Sequence, residues 1–413
     1  MSRFISIVLI VLALFFMVSC DNKPNEEEIV KEGILVTEDK PLADILKEMN
    51  LESATELVLT GTLKDADFAT LKAMATLKHL DIGNVSNTEI PQRAFAESSF
   101  ETIVLPKNLG KIGEYAFAIS SLKEVDIPNK VTRLEEGCFF KSKNLTKLHI
   151  PASVEYIGSG IVLQYDFDED KMPEDAQYIT VIIDKGSKEL VLENGAFGGG
   201  KIKEINIPES VKVIPNFCFN KANIERIVLP DSIERIGWVA FQHSKIKFTD
   251  DTLVLPKELK ILGPRAFAVD NSYSYKVKFN EKLEYIYQEA FETGFAIEEF
   301  DFPATLKGFA KSSISTRTGL KRVVFRGTTP PELIPYYLEK DRFTFVDGKY
   351  VGTVDIGETS FHPQDPAAYR DDVVAYVPKD SITAYKDKLK KADGDVKNPF
   401  KVENIKSIEE LKK

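Results

Sequence analysis

One pair of residues returns along this chain at a nearly fixed interval. A small residue followed by Phe occurs as Ala94-Phe95, Ala116-Phe117, Cys138-Phe139, Ala196-Phe197, Cys218-Phe219, Ala240-Phe241, Ala266-Phe267 and Ala290-Phe291. The Phe-to-Phe steps are 22, 22, 58, 22, 22, 26 and 24 residues. A step of 22 beyond Phe139 falls on Ile161 in "YIGSGIV", a degenerate rung, and the excess of the long step sits in the acidic stretch "QYDFDEDKMPEDAQY". Ser313-Ile314 makes a last degenerate rung. Self-similarity at such a period means stacked units, none of which buries its apolar edge alone. The 413 residues therefore imply one core extended along an axis, where an unrepeated chain of this length would divide into two or three globular domains.

Between the pairs run "FETIVLP", "LKEVDIP", "LTKLHIP", "IKEINIP", "IERIVLP", "DTLVLP", "IEEFDFP" and "LKRVVF". Short β-branched runs closed by Pro, which has no N–H to give to a ladder, read as strands. A second apolar group precedes each pair, as in "VTRLEEGCF" and "IERIGWVAF", so a coil carries two inward-facing segments and two corners. Phe recurs because rings stacked at a strand spacing of about 4.8 Å fill such an interior continuously, and aromatic neighbours add roughly 0.5–1.5 kcal/mol beyond their burial. The small residue before Phe implies a tight corner. Gly113, Gly158, Gly237 and Gly263 are expected where the backbone takes a positive φ.

With 43% hydrophobic and 29% charged residues there is apolar surface enough for a long core. The net charge of −10 argues against nucleic acid, because binding a phosphate backbone needs a basic face. The one short basic run, "YKDKLKK", reads as a solvated helix face.

The N-terminus reads as a processing signal. Phe4 to Val18 is an apolar segment of 15 residues after Arg3, short for a span that needs roughly 20. It ends in "MVSC", which resembles a bacterial lipobox with Met17 in the usual Leu position, and so implies lipidation of Cys20 and anchoring to a membrane. An uncleaved anchor or plain secretion is the other reading. The following "DNKPNEEE" is a polar tether, and its acidity resembles the surface-export signal of Bacteroidetes lipoproteins, which implies an outer-membrane lipoprotein facing outward.

The recurring "I-G-x-x-A-F" and L-x-x-L-x-L elements resemble the BspA-like leucine-rich-repeat surface proteins of bacteria. The resemblance implies a leucine-rich-repeat solenoid, mainly β, with short helices in the caps. It sets residues 1–19 as signal peptide, 20–33 as tether, 34–89 as N-terminal capping coils, 90–326 as the repeats with an insertion at about 164–178, and 327–413 as a C-terminal capping region. A helix is expected after Asp65 or Asp67, and another capped near Ser381. Leu134-Glu135 in place of Ile-Gly and Asn280 in place of Pro depart from the pattern in single coils.

No constellation of catalytic chemistry stands out, and no cofactor is expected. His79, His149, His243 and His362 fall in separate repeats or the cap without metal-ligand spacing. Cys138 and Cys218 lie three coils apart, about 14 Å at strand spacing against a bridging limit of about 7 Å, so both are expected as buried free thiols. The acidic insertion, Asp166 to Asp175, admits calcium or simple solvation, and lacks an EF-hand register.

The residues between the inward positions of each strand form the exposed, concave face. Its rows hold Thr102, Glu124, Lys147, Glu204, Arg226, Glu299 and Arg322, and Val104, Asp126, His149, Asn206, Val228, Val254, Lys278, Asp301 and Val324. Mixed charge with Val and no Tyr or Trp favours a protein partner over stacked sugars, if the face is a site and not an ordinary solvated sheet. Tyr273, Tyr275, Tyr285 and Tyr287 cluster at one enlarged corner, either as a ligand patch or as packing. The expected function is a non-enzymatic surface binding module. The resemblance implies adhesion or contact with host proteins, extracellular matrix included, and the alternative is an accessory glycan-binding lipoprotein of a polysaccharide-uptake system.

Overall fold

A computed structural model of the chain describes residues 33–165, 172–186, 188–269, 275–291, 297–310, 313, 320–334, 344–346, 349–351, 373–389 and 400–412. It is a β-solenoid of about 12 turns and about 23 residues per turn. Each repeating coil lays one longer strand on one side, such as Glu124–Asp126 or Asn223–Val228, and a two-residue strand on the other, such as Arg133–Leu134 or Arg235–Ile236. Successive coils pair in parallel on both sides, for example Glu124 with Lys147 and Lys111 with Arg133. The longer strands make sheets of four, six, two and four strands; the short ones make sheets of five and six.

The interior is the ladder that the repeat predicts. Phe197, Phe219, Phe241 and Phe267 stack with centroids 5.4, 5.0 and 4.8 Å apart and planes within 12° of parallel. Phe95, Phe117 and Phe139 stack at 5.5 Å, with planes 23° and 8° apart. Ile161, fully buried, carries the ladder across the long step, with its carbonyl accepting from Phe139 N–H at 3.1 Å and its N–H donating to the Ala196 carbonyl at 3.1 Å. In the regular coils each Phe N–H donates to the carbonyl of the small residue one coil on, as from Phe219 to Ala240 at 2.7 Å. Ser313 is buried, while Ile314 lies outside the described residues.

The glycines do something other than expected. Gly113, Gly158, Gly237 and Gly263 are not in the left-handed region. A Cβ on Gly113, Gly158 or Gly237 would stand 2.6–2.8 Å from backbone atoms of the preceding coil, and one on Gly263 2.7 Å from Gly237. They permit close approach of coil on coil. Positive φ occurs one residue before the small residue, at Arg93, Tyr115, Gly137, Gly195, Phe217, Val239, Arg265 and Glu289, and in the degenerate rung at Gly160, directly before Ile161. There it turns the N–H along the stacking axis, as when Phe217 N–H reaches the Trp238 carbonyl at 3.0 Å.

Pro ends the strands and starts the turn that follows, its carbonyl accepting from the third residue on, as from Val131 to Pro128 at 3.0 Å. Where Asn280 replaces it, the buried Asn280 amide donates to the Pro256 and Leu259 carbonyls of the coil before. At the N-terminal end, helices Leu42–Glu48 and Asp65–Ala73 cover the core. Buried Asp67 accepts backbone N–H groups from Leu42 and Lys64 at 2.8 and 2.9 Å, capping both helix starts. At the other end, strand Val374–Val377 and helix Ile382–Leu389 close the stack, and buried Tyr385 donates to the Gly327 carbonyl at 2.8 Å.

Candidate binding face

The side built from the longer strands presents two outward rows. Glu124, Lys147, Thr180, Glu204 and Arg226 follow in register in the first. In the second, Asp126 neighbours His149, His149 neighbours Ile182, and Asn206 neighbours Val228. One six-stranded sheet thus carries the candidates from Glu124 to Arg226; Lys278 lies on a two-stranded sheet beside Val254, and Glu299, Asp301 and Arg322 on a four-stranded one.

Most of its charges are matched within the face. Glu204 meets Arg226 at 3.0 Å and Glu124 meets Lys147 at 3.9 Å. Glu299 pairs with Arg322, and Asp301 accepts both arms of Arg326 at 2.7 and 2.5 Å. His149 bridges Asp126 at 3.5 Å and Asp184 at 3.0 Å. Lys276 and Lys278 have no carboxylate partner among the described residues. Against this neutralised background stand exposed aliphatic side chains: Val104 (52%), Ile182 (40%), Val228 (44%) and Val254 (58%). Matched charge with exposed apolar groups makes a surface whose attraction for a partner depends on burial more than on long-range field.

Thr180, Ile182 and Asp184 are functional candidates that sequence reasoning missed. Their strand, Ile179–Ile183, follows the insertion with no closing Pro and out of step with the period. The signal available was the unbroken run Ile179-Thr180-Val181-Ile182-Ile183. Val324, expected on the face, is buried, next in register to Tyr376 of the added cap strand.

Two of the four clustered tyrosines are not exposed. Tyr275 and Tyr287 are buried, Tyr275 against Phe248 at 4.9 Å and with its hydroxyl toward the Phe267 carbonyl, so they serve the packing of the enlarged corner. Tyr285 is half-buried on the short-strand side, and Tyr273 lies outside the described residues, as do Cys20 and most of the acidic insertion. Cys138 and Cys218 are free and buried, and burial pushes both thiols up, away from nucleophilic chemistry.

A family profile described as the BspA type leucine rich repeat region matches in six copies over residues 49–180 and 191–321. The chain belongs to the BspA-type leucine-rich repeat family. Among solved structures it is similar to a leucine-rich repeat protein from Bacteroides ovatus, at 17% identity and TM-score 0.38 over 65% of this chain and 79% of that one. A leucine rich cell surface protein from Faecalibacterium prausnitzii matches at 20% identity and TM-score 0.31, over 65% and 79%. The pneumococcal vaccine antigen PcpA matches at 15% identity and TM-score 0.31, over 84% and 92%. No curated protein matches the chain.

Proposed function

We propose that this chain is a non-enzymatic recognition module, anchored by lipid on Cys20 at the outer bacterial surface, and that it holds a protein partner across the long-strand face. The carrying observation is the set of exposed Val104, Ile182, Val228 and Val254 along the long-strand side, most of whose charges are already paired. A rigid stack of strands gathers modest contacts over many coils, and aliphatic groups buried by a partner contribute about 25 cal/mol per Å². Display at the surface fits the apolar leader ending in "MVSC" with its acidic tether, and adhesion to host matrix is the role this placement suits.

Two measurements test the two halves. Metabolic labelling with a fatty-acid analogue should mark the wild type and not Cys20→Ala; label persisting in the variant, or absent from the wild type, removes the anchor. For the face, capture of extracellular-matrix proteins should fall at least about tenfold in Ile182→Arg and in the double reversal Lys147→Glu with Arg226→Glu. Reversing Arg133 and Lys212, exposed on the short-strand side, should leave capture intact, and the opposite pattern would move the site there. Because the pairs neutralise one another, added salt should weaken capture only modestly.

A further inference from the structure

We propose that the C-terminal half of the long-strand face docks an acidic protein segment, with carboxylates over Lys276 and Lys278 and an aliphatic side chain over Val254. The proposal rests on the long-strand face being a docking surface, and it names the chemistry of what docks. Charge changes sign along the two outward rows. From His79 to Ile182 their acids are Asp81, Glu124 and Asp126 against Lys147, with His149 among them. From Glu204 to Arg322 they hold Glu204, Glu299 and Asp301 against Arg226, Lys276, Lys278 and Arg322.

Register explains why the two lysines stand free. The strand Glu299–Phe302 lies against Lys276–Lys278, so Glu299 and Asp301 are the acids that the next coil offers. Both are engaged from their other side, Glu299 by Arg322 and Asp301 by both arms of Arg326. On the preceding coil the in-register neighbours are Thr252 and Val254, which carry no charge. Asp250 and Asp251 before that strand, and Glu281 after the other, make no ion pair with either lysine among the described residues. Tyr275, buried against Phe248 at 4.9 Å, directly precedes Lys276 and fixes the base from which the charges project.

The neighbours of the lysines select the partner. Lys276 and Lys278 are both exposed on one side of a strand, their Cα atoms about 7 Å apart, and Val254 stands about 5 Å from Lys278 on the adjacent coil. Val254 is the most exposed valine of the face, at 58%. Two cations beside an exposed aliphatic group match a segment that alternates carboxylates with apolar side chains, since burial and charge pairing are then satisfied together. A uniformly anionic polymer would meet the cations but leave Val254 in water, and farther along the rows it would run into Glu124 and Asp126. An uncharged saccharide would leave both ammonium groups unused.

The probe is a short fluorescein-labelled peptide in which Val alternates with Glu, titrated onto the mature chain and read by anisotropy beside the same peptide with Lys or Ser in place of Glu. The chain as a whole carries a net charge of −10, so saturable binding of an acidic probe reports a local site. The Glu peptide should bind at least about tenfold tighter than the other two. Lys276→Gln with Lys278→Gln, and Val254→Ser alone, should each weaken it, the lysine pair at least about tenfold, with unchanged melting because all three side chains are exposed. Lys260→Gln with Lys307→Gln removes the same charge from ion-paired lysines beside the short strands and should leave binding intact. No binding of the Glu peptide, equal losses from the two lysine pairs, or tighter binding of heparin through Lys276 and Lys278 overturns the proposal. Capture of matrix proteins that is lost in Ile182→Arg but kept in the Lys276 and Lys278 double variant overturns this assignment and leaves the docking face standing. Capture that ignores both changes removes the face itself, and the assignment with it.

Discussion

At Phe219 the logic of the repeat is concentrated in one side chain. It is fully buried, with Phe197 and Phe241 stacked on its two faces at 5.4 and 5.0 Å, and full coils on both sides leave it no way to collapse. Phe219→Ala should cost about 3–5 kcal/mol in denaturant unfolding; a loss within about 1 kcal/mol would mean the site relaxes as a packed core does not. The same ladder was readable from sequence because a buried residue shows as a period. Glycine was not readable in the same way. Its lack of a Cβ serves either a positive φ or a close approach, and only the folded stack separates Gly237, pressed on the Asn216 backbone, from Gly195, which is left-handed. Arg93, Phe217 and Val239 adopt left-handed φ that their side chains would not suggest, because the axial hydrogen bonds of the stack hold them there.

Among the elements, the acidic insertion is the natural contrast to a core rung. Met172 to Asp175 are half-buried or exposed at the surface, although the insertion's ends, Tyr165 and Ala176, are buried. Deleting Asp168 to Glu174 should therefore cost far less than Phe219→Ala in the same unfolding assay, and equal losses would mean that the insertion belongs to the stack. The strands closed by Pro were legible, since Pro marks where pairing stops. The strand Ile179–Ile183 was not, because the insertion had broken the count that found the others. That miss mattered for the site: Ile182 stands beside His149 at the middle of the face. The tyrosine corner, open in the sequence to either a ligand patch or packing, stayed undecided for a different reason. Sequence shows aromatic density and is silent on which side of an irregular corner the rings fall, and Tyr275 and Tyr287 fall inward.

Across the whole molecule, charge follows the stacking as closely as Phe does. Glu89 meets Lys111 at 2.9 Å, Glu234 meets Lys260 at 2.7 Å, and Glu298 meets Lys321 at 2.8 Å, in each case an acid with a base one coil later. Exposed pairs contribute little individually to stability. Their effect is on recognition, because a surface that has matched its own charges presents little field to a partner and leaves its exposed aliphatic groups as the available attraction. Sequence order alone displayed the mixed signs, and the pairing between coils needed the register. The most direct measurement is hydroxyl-radical footprinting of the mature chain with and without a captured matrix protein. The account predicts that His149, Ile182 and Val228 lose oxidation in the complex while Tyr156, Val191 and Val213 on the short-strand side keep theirs. Protection of the short-strand side with the long-strand face unchanged would contradict it.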